Sequence, residues 1–372
     1  MKQLIFNNLK NIPGWRAQRK LVVFSVDDYG NVRVDSEEAQ KNLQKEGLNL
    51  QSRFDQYDTL ENKKDLEYLY EVLSSVQDKN GKAAVFTPYA LPCNIDFEEI
   101  EKDNYRYYHY EQLPDTYRKL TEKDPASYSG TWDLWKEGID KGLMKPQFHG
   151  REHLNLKLFN YKLQNRDHDL MVNLQNRSFA AISDKEFPNI RTTAAFSFEN
   201  QEDIKDFPKI LKTGTDAFEE VFGYRSECFT PPAQEFPIEM EETLSQYGIK
   251  HFDKSFHKKR HLGNGKYKRE FNFAGRDKKT GLNILVRNVV FEPTNGNKDH
   301  VGQALKQIEA AFRWGKPANI SSHRVNFCGH IDPKNRKKGL NELSKLLQEI
   351  VKRWPDVKFI SVDELGKIIE TR

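Results

Sequence analysis

The chain has 372 residues, of which 37% are hydrophobic and 12% aromatic, enough for a substantial core. Its 59 basic and 55 acidic residues leave a net charge of +4, too small to argue for a nucleic-acid partner. Cys93, Cys228 and Cys328 are widely separated and odd in number, which excludes a disulfide framework and a zinc knuckle and fits reduced thiols in the cytosol.

The segment Met1-Lys2-Gln3-Leu4-Ile5-Phe6-Asn7-Asn8 is too short an apolar stretch for a signal peptide. No run reaches the ~18 apolar residues of a membrane span. A cytoplasmic protein with no membrane partner is the expectation; nothing specifies an oligomeric state. Strand-like runs follow at 21–26, 83–87, 145–149, 227–230, 250–253, 318–323 and 357–361. Between them lie helical patterns at 60–76, 301–314 and 340–354; the first spaces Leu60, Leu66, Leu69, Tyr70, Leu73 and Val76 on one face. Such alternation predicts a parallel sheet, and about seven repeats would curl it into a barrel. Two segments break the rhythm. Residues 94–142 are charged and rich in Tyr and Trp, which fill their own core or offer a flat face to a sugar. Residues 257–291, with glycines at 263, 265, 275 and 281, read as a hairpin excursion. No repeat or linker divides the chain, so one domain over 1–372 is expected.

Chemistry gathers at strand ends. The apolar run Leu21 to Val26 ends in Asp27-Asp28, and barrel enzymes keep reactive groups at such ends. Adjacent carboxylates repel unless a cation or proton separates them, although Asp is also common at helix N-caps. His149-Gly150-Arg151-Glu152-His153 follows another strand-like run. Two imidazoles four residues apart can reach one metal, and a surface pair is the plain alternative. His323 ends a third strand, and Arg225 with Thr230, Pro231 and Pro232 borders a fourth. One Asp and two His would leave a ligand position open for water, as in catalytic rather than structural sites.

The order of these motifs resembles the polysaccharide deacetylases, the NodB-like carbohydrate esterases, from about residue 20 to the C-terminus. The resemblance implies an irregular (β/α)7 barrel. It also implies a metal-dependent hydrolase that removes acetyl groups from a carbohydrate. Asp27 is then similar to the catalytic base, and Asp28, His149 and His153 to the ligands of one divalent ion, Zn²⁺ first. His323 is similar to the general acid. Arg225, Thr230, Pro231 and Asp253 fall at substrate-side positions, with an oxyanion contact from a backbone N–H near Thr230. Several positions depart from the family pattern. Ser25-Val26 stands for Thr-Phe, Gly150 for Ser or Thr, and Ser321 for Leu. The third motif is loose, and Asp253 is the nearest match to the fourth. Three alternatives remain at this stage. One is a barrel that binds glycans without turnover. Another is a zinc peptidase using His149-Gly150-Arg151-Glu152-His153 on a regular helix, with Glu152 as base. The third is a glycosidase, which usually needs two carboxylates instead.

Overall fold

The strand Leu21–Tyr29 is buried along its whole length and has a parallel neighbour on each side. This is a computed structural model describing residues 2–183, 185 and 187–371. Side chains alternate across a strand, and the burial follows that period. Val22, Phe24 and Val26 pack outwards against helices, whereas Leu21 and Val23 face an inner cluster with Tyr89, Cys228 and Leu285. A strand buried on both faces needs an almost continuous apolar run, as parallel strands do.

Leu21–Tyr29 pairs in parallel with Phe86–Ala90 on one side and Ala318–His323 on the other. From Phe86–Ala90 the parallel ladder runs through Gln147–Phe148, Cys228–Phe229 and His251–Ser255 to Asn283–Arg287. Val289–Val290 then pairs with Ala318–His323. One chain segment, 283–290, therefore joins the two ends of the sheet across Asn288. Asn288 donates from its side chain to Pro317 O at 2.9 Å and accepts from Asn319 N at 3.0 Å. The result is a mixed α/β barrel of seven principal parallel strands, as expected. Lys358–Phe359 adds a short pairing beside Leu21 and Val22.

Three local readings change. The expected strand at 83–87 is found at Phe86–Ala90, with Phe86 opposite Phe24; Ala83 instead bridges Gln77. The hairpin excursion resolves into two antiparallel pairs, His257–His261 with Tyr267–Phe271 and Gly275–Arg276 with Asn283 and Ile284. The strand-like residues after 282 belong to the barrel, because Leu285 and Val289 are fully buried. In the 94–142 segment, Cys93–Ile95 pairs with Tyr110–Gln112 and helices follow. Its rings mostly pack on one another: Tyr117 stacks on Trp132 at 6.0 Å, and Trp135 Nε1 donates to Tyr117 at 3.0 Å.

Among the described residues, no helix is long and apolar enough to cross a membrane. The helix Val362–Glu370 closes the barrel end where Leu21 lies, through Leu365 and Ile369. The other end, where strands finish, stays open.

Candidate active site and metal centre

Asp27 and Asp28 end the first strand, yet both line one cavity of about 350 Å³. Regular alternation would send them to opposite faces. The pairing register with Phe86–Ala90 shifts between Val26 and Tyr29, and Asp28 has φ of 75°. A bulge re-aims side chains in this way. A left-handed Asp at a strand end is local strain of the kind found at functional sites.

Asp28 Oδ1 lies 3.4 Å from His149 Nε2 and 3.2 Å from His153 Nε2. The three donor atoms fall within 4.8 Å of one another. For metal–ligand bonds of roughly 2.0–2.1 Å, a tetrahedral edge is about 3.3–3.4 Å, so the spacing fits one small divalent ion. The histidine chemistry fits as well. His149 Nδ1–H donates to Thr230 O at 2.7 Å, which fixes the tautomer and turns the Nε2 lone pair towards Asp28. That Nε2 is buried without a hydrogen-bond partner. Burial pushes the Asp28 carboxyl up, but His149 and His153 pull it well below its usual range.

The two imidazoles come from an irregular bend rather than a helix. Gly150 holds φ of 124°, and a Cβ there would meet Pro232 Cγ at 3.2 Å. The Pro231-Pro232 loop thus presses on the second motif, which accounts for Gly where Ser or Thr is expected. Glu152 faces Arg151, with bonds of 2.5 and 2.8 Å. The peptidase reading fails on both points: there is no helix, and its base is locked away in an ion pair.

Asp27 sits beside His323 in register on the neighbouring strand. Arg287 grips Asp27 in a bidentate pair, at 2.6 Å to Oδ2 and 2.8 Å to Oδ1. Burial raises the Asp27 carboxyl; Arg287, with His149 and His323, brings it below its ordinary value. Asp253 lies beneath, fully buried, and accepts from Arg287 Nε at 2.9 Å, Ser25 Oγ at 2.8 Å and Asn319 Nδ2 at 3.1 Å. His323 Nδ1–H donates to Glu292 at 2.6 Å, and its Nε2 lies 3.9 Å from Asp27 Oδ2. Burial would lower the imidazole, but Glu292, with Asp28 and Asp27, raises it to about 9. Glu292 also accepts from Asn326 at 2.7 Å and pairs with Arg53.

Asp27, Asp28, His149, His153 and His323 therefore meet at one cavity. The four substrate-side residues do not all reach it. Arg225 is a correction: it lies on the outside, half-exposed, paired with Glu219 at 2.7 Å and Asp216 at 3.2 Å. Its strand is short, Cys228–Phe229, and Arg225 precedes it, on the far side from the cavity. Asp253 is also corrected. It is sealed under Arg287 and holds that side chain instead of facing the cavity. Thr230 is buried, and its N–H is taken by Phe148 O at 3.3 Å, so the expected oxyanion contact is not Thr230's own. Pro231 is buried too; Ala233 and Gln234, both with left-handed backbone, line the wall in its place. Sequence reasoning missed Arg287, Glu292 and Phe54. Arg287 ends a buried apolar run and Glu292 follows it, which is the same signal that exposed Asp27-Asp28. Phe54 sets its ring edge-on to His323 at 5.3 Å.

The fold and cavity define an α/β barrel with a three-donor pocket at its strand ends, bordered by an arginine-held carboxylate and a carboxylate-held imidazole. No family model matches the chain, and no curated protein matches it. Solved structures do resemble it. A structure described as a candidate polysaccharide deacetylase from Mycobacterium smegmatis shares 13% identity over 96% of this chain and 93% of that one, with a TM-score of 0.45. The 4-alpha-glucanotransferase from Thermococcus litoralis shares 10% over 93% of this chain and 40% of that one, at 0.44. A probable polysaccharide deacetylase from Pseudomonas aeruginosa PAO1 shares 9% over 94% and 90%, at 0.43.

Proposed function

We propose that the protein is a metal-dependent hydrolase that removes acetyl groups from a carbohydrate. The observation that carries this reading is the convergence of Asp28, His149 and His153 with Asp27 and His323 at one cavity. The choice of an acetylated sugar rests on the motif order that resembles the polysaccharide deacetylases.

Asp28, His149 and His153 would hold the ion, and the two-nitrogen, one-carboxylate donor set favours Zn²⁺. A divalent ion there supplies Lewis acidity towards a carbonyl oxygen and makes water more acidic. Asp27, kept ionised by Arg287, takes the proton from the attacking water. It lies 3.9 Å from His323 Nε2, so base and acid reach the same small part of the cavity. His323, raised to about 9, is protonated near neutrality and gives its proton to the leaving amine or alkoxide. Glu292 fixes the imidazole so that Nε2 points inwards. Phe54 supplies the apolar wall beside that proton.

The test is acetate release from a panel of acetylated mono- and oligosaccharides and nucleotide sugars, with metal analysis of the same protein. About one divalent ion per chain is expected, together with turnover that Asp27→Asn abolishes while the metal stays bound. Undiminished turnover in Asp27→Asn dismisses Asp27 as base. Metal retained in both Asp28→Ala and His149→Ala removes the site.

A further inference from the structure

The helix Lys2–Leu9 turns an asparagine inwards and apolar side chains outwards. A surface helix normally buries its apolar stripe and exposes its polar one. Here Asn7 and the following Asn11 are buried, and Asn11 Oδ1 accepts from Asn288 Nδ2 at 2.9 Å. Asn8 Oδ1 accepts from Trp314 Nε1 at 3.1 Å. The opposite stripe faces outwards: Ile5 is 52% exposed, Phe6 47% and Leu9 57%. Contiguous exposed apolar area of this kind marks an interaction surface.

The stripe continues onto the hairpin. Phe6 meets Phe256 edge-on at 5.9 Å, and Phe256 meets Phe271 at 5.7 Å. Phe271 is itself half-exposed. Its face of the hairpin carries Lys259 directly opposite Arg269. Like charges across a ladder repel. Neither side chain meets a carboxylate among the described residues. Glu270 is the only acid between 257 and 271. It lies on the other face of the ladder, opposite Lys258, and pairs with Arg260.

We propose that this face docks on an anionic lipid bilayer, with the helix lying in the interface and Lys259 and Arg269 on the headgroups. Exposed apolar side chains beside unpaired cations are what such a surface recognises. A second copy fits less well. A two-fold contact would set the face on itself, and the hairpin face that carries Lys259 and Arg269 has no acid to meet them. The expectation of no membrane partner came from the lack of a spanning segment, and a helix that lies on a membrane needs none. This inference is independent of the proposed hydrolase activity.

Sedimentation of the full chain with vesicles tests it. Binding is expected to vesicles of phosphatidylcholine with phosphatidylserine, not to phosphatidylcholine alone, and to weaken with salt. Replacing both Lys259→Ala and Arg269→Ala should lower partitioning by about 30-fold. Ile5→Ser with Leu9→Ser should lower it by at least about tenfold. The exchange Lys259→Arg with Arg269→Lys keeps the charge and should keep binding. Failure to sediment with either vesicle overturns the proposal. So does equal binding to both vesicles, or binding indifferent to Lys259 and Arg269. A concentration-dependent dimer that Ile5→Ser with Leu9→Ser dissolves would give the face to a second copy and overturn it as well.

Discussion

The two sides of the cavity are built differently. On one side, Asp28, His149 and His153 converge from two chain segments, and their order comes from local backbone: a bulge at Asp28 and a glycine bend at Gly150. On the other, Asp27 and His323 are each held by a charged partner from the 283–292 segment, Arg287 and Glu292. The first side is a set of three donors close enough to share one cation. The second is already neutralised by ion pairs within the protein. Under the proposed function, the residues that would hold a metal are separate from those that would move protons. Each side should therefore fail in its own way.

The largest effect is expected on the donor side. Asp28→Ala removes the carboxylate that lies within 3.4 Å of both imidazoles. If an ion there supplies several kcal/mol of transition-state stabilisation, kcat/KM should fall by roughly 10³-fold or more, with the metal lost from the purified protein. Unchanged metal content in this variant would mean that the two sides are not distinct.

On the proton side the corresponding blow falls on stability. Arg287 lies between Asp27 and Asp253, and all three are buried. Arg287→Met strands two carboxylates, and breaking such a cluster costs roughly 3–5 kcal/mol. Urea unfolding measures this. With the guanidinium gone, burial of Asp27 is no longer offset, so its pKa rises and the acid limb of kcat/KM moves to higher pH. A depressed carboxylate stabilises the fold above its unfolded pKa and loses that contribution as pH falls, so the variant should also lose less stability on acidification. Metal content should stay as in the parent chain.

The contrast also explains what could be read from the sequence. The donor side was legible because its signals are local: two adjacent carboxylates after an apolar strand, and two imidazoles four residues apart. The barrel was legible for the same reason, from the buried runs at Leu21–Tyr29 and Ala318–His323. The partners on the proton side were not. Glycines at 263, 265, 275 and 281 drew residues 284–291 into one hairpin with 257–271. Only pairing with His251–Ser255 and Ala318–His323 shows that 283–290 closes the barrel. With 284–291 read as part of that hairpin, Arg287 has no barrel strand end to occupy, and the resemblance gives the motif arginine to Arg225.

Glu292→Gln probes the imidazole with a smaller effect. His323 is raised from 6.5 to about 9, with burial opposing and Glu292 as the main cause. A raised imidazole stabilises the fold fully below pH 6.5 and loses that contribution as pH climbs through about 9. Without the carboxylate the proton leaves at lower pH. The alkaline limb of the rate profile should shift downwards, and kcat at pH 8 should fall by roughly 10–100-fold, the usual cost of an orienting partner. The metal and the acid limb should not move. A profile that shifts on the acid side instead would assign the titration to Asp27.

The smallest effect is expected at Arg225. It has two carboxylate partners, as Arg287 has, but the pairs stand at the surface. Exposed pairs of this kind contribute about 0–1 kcal/mol, because water screens the charges and two long side chains must be ordered to meet. Arg225→Gln should change urea stability by no more than that and leave kcat/KM and its acid limb in place. The same loss of a guanidinium at Arg287 should cost several times more. Two arginines in charge pairs thus differ by burial alone, and burial decides which of them can hold a carboxylate ionised at the centre of the barrel. A fall in turnover for Arg225→Gln, with Arg287→Met active, would make Arg225 rather than Arg287 the arginine that turnover needs and undo the division of the cavity into a metal side and a proton side.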